Sequence, residues 1–269
     1  MSTQLEKNRV PLDWLLCPYT REPLKFEGNY ASSSKYRFPF DEQKNFWSFI
    51  PQGLDFLDTK IWKTWQHLQD NGIVGYEEDP IANIATGPIQ EYVNFGNFCN
   101  YKGNVLDIGV GPQKNPSHFE YSRKNEAFFI GLDPIIGEQP RDFLFIHGFG
   151  EFTPFKDGIF DQALFVTSLD HFIKPYDAIV ESNRVLKKGG ELCIFHGEKA
   201  KNTPKPAKSP EWYTNLKVPD GAEDPFHLRR FDSVELEGYL ADANFKITEV
   251  ETRVIDEYRK EIFYKAVKL

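Results

Sequence analysis

The stretch Val105-Leu106-Asp107-Ile108-Gly109-Val110-Gly111-Pro112-Gln113 decides how this chain is read. Val105 to Ile108 form a short buried strand. The two glycines beyond it remove side chains, so the backbone can pass close to a ligand. Strand, glycine-rich turn, helix is the ligand cradle of doubly wound α/β folds. Charge then selects the ligand. Asp107 sets a carboxylate at the strand's end, where it repels a pyrophosphate and suits an ammonium group. A dinucleotide fingerprint also needs a third glycine three positions after Gly111, and Lys114 stands there.

Working outward, the next apolar run, Phe128 to Leu132, ends in Asp133, 26 residues beyond Asp107. An acidic residue at that distance, at the tip of a second strand, accepts hydrogen bonds from ribose hydroxyls. Ammonium plus ribose without phosphate describes S-adenosylmethionine. Three further motifs follow in order: Gly150-Glu151 with Pro154-Phe155, then Phe160-Asp161, then Arg184-Val185-Leu186-Lys187-Lys188-Gly189-Gly190. With these, the chain from about Tyr101 to Leu269 resembles the class I S-adenosylmethionine-dependent methyltransferases. The likeness is greatest to the broad group that includes ubiquinone and small-molecule methyltransferases.

That resemblance implies an α/β fold, a doubly wound, seven-stranded, mostly parallel sheet of Rossmann-like type. S-adenosylmethionine is the implied cofactor. It implies that Asp107 faces the cofactor's amino acid end, that Gly109 and Gly111 allow close approach, and that Asp133 clamps the ribose. Phe149, Gly150 and Glu151 fall where the family surrounds the adenine, and Tyr76 falls in a lid segment before the first strand. Thr167 belongs to the run Val166 to His171, which such a fold turns toward the methyl group. Two positions depart from the family pattern. Phe149 stands where an acidic residue is frequent, so ring stacking replaces a hydrogen bond to the adenine amino group. Gln113 stands at the third glycine position of the family's loop.

Bulk composition narrows the partners. The 269 residues suffice for one large domain or a domain with an appendage, and the 15 % aromatic content excludes a largely disordered chain. A net charge of −8 disfavours tracking a nucleic-acid backbone. The three dispersed cysteines form no disulfide framework and suit a reducing compartment. The N-terminus shows no signal-peptide core and no apolar run is long enough to span a bilayer, so a cytoplasmic protein without a membrane partner is expected.

Three segments are expected. Residues 1–53 are similar to a small zinc-ribbon-type β domain, through Cys17-Pro18-Tyr19-Thr20 and Pro23-Leu24. Thr20 replaces the second cysteine of that knuckle, so the ribbon is expected to hold no zinc, and no metal ligands are assigned anywhere in the chain. Residues 54–100 read as a helical cap. Leu57, Ile61, Trp65 and Leu68 recur at helical spacing, Asn71-Gly72 end that helix, and Trp62 packs in the core. A second helix spans about 88–98. Residues 101–269 form the third segment, with strands predicted at 104–108, 128–132, 143–147, 160–166, 190–196, 245–252 and 261–268. A helix over 175–188 ends on two lysines and Gly189-Gly190, and another starts with Asp232 and Glu235 as a capping box and stops at Asn244. The run from Lys199 to Pro210 reads as a connector or as a flap over the acceptor.

The candidate bases are histidines. His171 and His227 are assigned the catalytic role and His196 a substrate contact, because strand ends and the C-terminal section converge near the methyl group. His67 and His118 read as surface or cap residues, and His147 as lying on the adenine side. The function expected is O- or N-methylation of a small or medium-sized acceptor such as a sugar, glycan or polyketide. Methylation of ribosomal or transfer RNA is one alternative; a non-catalytic, methyltransferase-like partner subunit is another. The acceptor and the oligomeric state are not written in the sequence.

Overall fold

The computed structural model describes residues 10–50, 59–80, 88–120, 127–138, 140–200, 203 and 209–269. The start of the first predicted helix, with Leu57, and most of the Lys199–Pro210 run lie outside them.

Among the described residues eleven strands form one sheet: β1 (Lys25–Glu27), β2 (Tyr30–Ser32), β3 (Arg37–Asp41), β4 (Phe46–Ser48), β5 (Gly103–Ile108), β6 (Ala127–Asp133), β7 (Leu144–His147), β8 (Phe160–Val166), β9 (Leu186–Lys199), β10 (Phe245–Val254) and β11 (Arg259–Lys268). Their order is β1-β2-β3-β4-β7-β6-β5-β8-β9-β11-β10. From β7 to β9 all pairings are parallel, and β11 returns antiparallel between β9 and β10. The seven strands β5 to β11 are the expected doubly wound sheet. The parallel strands read as near-continuous apolar runs because both of their faces are covered: in β8 all but Asp161 are buried. Strand order reverses at β5, which has β6 on one side and β8 on the other. A ligand crevice belongs outside the carboxyl ends of strands at such a reversal.

The N-terminal strands extend this sheet instead of standing apart from it. β4 pairs in parallel with β7, Trp47 opposite Ile146 and Ser48 opposite His147. The cause is aromatic. Phe46 meets Phe145 edge-on at 5.4 Å, Phe38 packs on Phe49 at 4.9 Å, and Trp47 is wedged between Phe26 and Phe40. Without β4, β7 would leave a row of unpaired backbone groups.

Among the described residues six helices surround the sheet: α1 (Lys60–Glu78), α2 (Gln90–Cys99), α3 (Ser117–Glu120), α4 (Pro175–Val185), α5 (Glu211–Asn215) and α6 (Ser233–Asp242). Two expected boundaries are corrected. α1 runs straight through Asn71-Gly72, because the Asn71 amide donates to the carbonyls of Lys217 (3.0 Å) and Pro225 (2.7 Å) and so is spent on tertiary contacts, not on a turn. α4 stops at Val185, and Leu186 already belongs to β9. Lys187, expected to sit on the helix dipole, instead pairs with Asp161 at 2.8 Å. The start of α6 is as expected in part. Asp232 accepts from the Glu235 amide at 3.0 Å, but the Glu235 carboxylate turns to Tyr239 and Arg229. Asn244 closes the helix with φ +59°.

Candidate active site

The carboxyl ends of β5, β6 and β8, with α1 laid across them, enclose a cavity of about 340 Å³. Asp107, the penultimate residue of β5, is fully buried. Its Oδ2 is hydrogen-bonded to His118 Nε2 at 2.8 Å, and its Oδ1 is buried with no hydrogen-bond partner among the described residues. His118 is thus not a surface residue: it is 2 % exposed, on α3, where burial among Tyr92, Phe95 and Phe129 holds it against the carboxylate. A buried carboxylate oxygen without a donor is costly unless a ligand supplies one.

The turn beyond β5 needs its glycines. Gly109 and Gly111 have φ +81° and +79°, and a Cβ at Gly109 would stand 2.6 Å from that of Ser168. Gln113 folds back over the turn, its amide donating to the Val110 carbonyl. Asp133, at the tip of β6, holds the same turn: its two oxygens accept from the amides of Gly111 and Ile135, each at 2.7 Å. Burial raises its pKa to about 6, against the opposing pull of those two amides and of Arg141. Each oxygen keeps a lone pair, and the residue lines the cavity.

The remaining predicted cofactor contacts line the same cavity. Gly150 is obligatory, since a Cβ there would meet the Phe172 ring at 2.2 Å. Glu151 Oε1 accepts from the amides of Ile173 (3.0 Å) and Lys174 (3.2 Å) at the start of α4, and burial lifts its pKa to about 7. Phe149 packs edge-on against Trp62 and Trp65, which stack at 4.8 Å, so Trp62 is core as expected. Tyr76 of α1 also faces the cavity, its phenol raised in pKa by burial. His147 lines not this cavity but a neighbouring one of about 1050 Å³ that Phe149 and Tyr76 also line. It bonds Ser48 Oγ at 2.8 Å and the Pro134 carbonyl at 3.1 Å, and burial lowers its pKa to about 4, so it is a structural residue.

Thr167 takes φ +52°, an outlier for a β-branched residue. It lines both this cavity and a second one of about 230 Å³. The predicted acceptor-side residues gather at that boundary. His171 and His227 line both cavities, their rings 4.4 Å apart, and His196 lines the second. Burial lowers the pKa of His171, although its side chain is 40 % accessible; that surface faces the cavities. His196 stacks on Phe231 at 5.1 Å, and its Nε2 is buried without a partner among the described residues.

With this geometry in view, comparison with known proteins is informative. Residues 106–194 match the family model described as "Methyltransferase domain". The chain has the class I methyltransferase fold. Its crystal-structure neighbours include a 1,6-didemethyltoxoflavin-N1-methyltransferase from Burkholderia thailandensis, solved with 1,6-didemethyltoxoflavin and S-adenosylhomocysteine. The two agree with a TM-score of 0.56 at 12 % identity over 90 % of this chain and 99 % of that one. A geranyl diphosphate C-methyltransferase from Streptomyces coelicolor, also solved with S-adenosylhomocysteine, gives 0.51 at 13 % over 72 % and 84 %. The [4+2]-cyclase SpnF gives 0.53 at 18 % over 76 % and 96 %. At such identities the likeness is one of fold, and the cyclase shows that fold alone does not set the reaction. An uncharacterized protein of Methanocaldococcus jannaschii is 37 % identical over 98 residues, which are 35 % of this chain and 44 % of that protein. The match thus spans under half of that relative's length.

The residues lining the cavity fit S-adenosylmethionine. Asp107 Oδ1 lacks a donor where an ammonium would supply one, the glycine turn leaves room beside it, and Asp133 presents lone pairs for hydroxyls. Sequence reasoning missed three features of this site: the Asp107–His118 pair, the strain at Thr167, and the carboxylates Asp170 and Asp224 around the two histidines. Only the run Asp170-His171, and Asp224 three residues before His227, hinted at the last.

Proposed function

We propose that the protein transfers the methyl group of S-adenosylmethionine to a small acceptor held in the second cavity, against His171, His227 and His196. The observation that carries this is the unpartnered Asp107 Oδ1 at the switch point of the sheet. The bound cofactor supplies an electrophilic methyl group on sulfur. The chain's task is to align the acceptor and exclude water. Asp107 and His118 hold the ammonium end, Asp133 the ribose, and Phe149 with Trp65 closes the adenine side. Thr167 marks the boundary across which cofactor and acceptor meet. The small cavity and the net charge of −8 support a small acceptor over RNA. The two neighbours solved with both S-adenosylhomocysteine and a small molecule agree with that choice.

Calorimetry with S-adenosylhomocysteine tests the reading. Wild-type protein binds one per chain, and Asp133→Ala weakens binding by about 1–3 kcal/mol, the scale for losing a charged hydrogen-bond partner. No binding to the wild type, or unchanged affinity in the variant, refutes the assignment.

A further inference from the structure

Between the two cavities Asp170, His171 and His227 bring a carboxylate oxygen and two imidazole nitrogens within 4.8 Å of one another. They are the only such group of three or more among the described residues. Asp170 and His171 come from the short 3-10 turn after β8, and His227 from the loop before α6.

The proton positions follow from the partners. His171 Nδ1 lies 3.2 Å from the Phe226 carbonyl, which can only accept, so Nδ1 carries the hydrogen. His227 Nδ1 lies 2.6 Å from Asp224 Oδ1. Asp224 is placed as an acceptor throughout: its Oδ1 also accepts from the amides of Phe226 (2.9 Å) and His227 (3.0 Å), and its Oδ2 from Arg230 Nε (2.9 Å). Both rings are therefore fixed with Nδ1 protonated. Their Nε2 lone pairs face the same carboxylate, His171 at 3.9 Å from Asp170 Oδ1 and His227 at 3.3 Å from Oδ2. With both rings neutral, two lone pairs and a carboxylate converge on one point, an arrangement that a cation between them stabilises. A ring nitrogen tied to a carboxylate or carbonyl, with the other nitrogen free, is the outer-shell pattern of metal-binding histidines. Among the described residues Arg230 is the one other charge paired with Asp170. It lies 3.5 Å from Oδ2, is anchored by Asp224 at 2.9 Å, and leaves Oδ1 uncontacted.

We propose that Asp170, His171 and His227 form a binding site for one divalent cation of the zinc, iron(II), cobalt(II) or manganese(II) kind, with Asp224 as the residue that positions His227. Two imidazoles and one carboxylate suit borderline cations and leave coordination positions open. Those positions face both cavities, so the site would take an acceptor with an oxygen donor, a hydroxyl or carbonyl, as a further ligand. This substrate class rests on the methyl-transfer reading; the cation site does not.

Cobalt(II) tests it. The full-length protein, treated with chelator, is titrated with Co²⁺ and followed by visible d–d absorption and calorimetry. One Co²⁺ per chain is expected, with the bands of nitrogen and oxygen ligation. H171A and H227A each weaken binding by at least about tenfold, and D224N by about 10- to 100-fold, the scale for losing an outer-shell partner. H67A, which removes an exposed histidine, changes nothing. Thermal melts establish that each variant is folded, and H171N and H227N replace an alanine variant that is not. Absence of saturable Co²⁺ binding, or binding unchanged in both histidine variants, overturns the site and leaves Arg230 as the counter-charge of Asp170. S-adenosylhomocysteine affinity on the same samples separates the two readings. Cofactor binding without Co²⁺ removes the cation site alone, and Co²⁺ binding without cofactor removes the methyl-transfer reading alone.

Discussion

Glu181 of α4 and Asp107 of β5 are both buried carboxylates, and they are treated in opposite ways. Glu181 is saturated. Its two oxygens accept from Arg21, from two nitrogens of Arg184, and from the amide and hydroxyl of Thr153. Burial opposes its ionisation, but Arg184 and Arg21 hold its pKa below the usual carboxylate range. This cluster ties the N-terminal segment to the sheet, since Arg21 precedes β1 and also donates to the Thr153 carbonyl. Asp107, which lines a cavity, has among the described residues one partner, His118, and one oxygen without a donor. A closed hydrogen-bond account marks a carboxylate that holds the fold. An open one marks a carboxylate waiting for a ligand.

Substitution should separate the two roles, beginning with the larger effect. Glu181→Ala strands two guanidiniums and a buried threonine. Breaking such a pair costs about 3 kcal/mol, the low end of the range because the Arg21 side chain stays 38 % exposed. Urea unfolding should show that loss, while S-adenosylhomocysteine affinity measured well below the transition stays unchanged. Asp107→Asn reverses the pattern. It keeps the shape and one acceptor, so stability moves little, but the cofactor's ammonium loses its counter-charge and binding weakens by about 1–3 kcal/mol. If the midpoint of unfolding falls and the affinity does not, Asp107 belongs with Glu181.

The smallest effect is one of pH. Asp133 titrates at about 6 and Glu151 at about 7 because burial penalises their charged forms. A raised acid pKa means that the folded chain holds protons the unfolded chain has released. Stability contributed by these two groups therefore falls as pH rises from about 4 to about 7. His147, lowered to about 4, works the other way, its contribution being lost as pH falls from about 6.5. With Asp133 as the proposed acceptor for ribose hydroxyls, cofactor affinity should rise between pH 5 and 7.5, by at most about tenfold per pH unit for one proton. Asp133→Asn should flatten the part of that rise centred near pH 6. A profile identical to wild type would place the titrating group elsewhere, with Glu151 next to be tried.

A second pair of clusters sharpens the same contrast. His118 serves one carboxylate oxygen in a buried site, whereas His171 and His227 turn a nitrogen each toward one carboxylate between two cavities. The first arrangement suits an organic cation, which brings its own hydrogen-bond donors. The second suits an ion, which brings none and must be ligated.

Much of this was legible in the chain itself. Strand, glycine turn and downstream acid at Asp107, Gly109, Gly111 and Asp133 are local: each follows from a period, a steric allowance or a charge at fixed spacing. The parallel strands of the doubly wound sheet were readable for the same reason, since strands buried on both faces are continuous apolar runs. What the sequence could not say depends on groups far apart in the chain. Asn71-Gly72 reads as a stop signal until Lys217 and Pro225 claim the asparagine, and Lys187 reads as a helix-end cation until Asp161 is found beside it. His118 looks like a surface residue until three aromatic rings enclose it against Asp107. The N-terminal strands look like a separate unit until Phe46 and Phe145 meet. Asp170 and Asp224 carry no periodic mark. Their meaning arises only when the turn after β8 and the loop before α6 bring two histidines to one carboxylate, because hydrogen-bond satisfaction is a property of the folded neighbourhood and not of the residue.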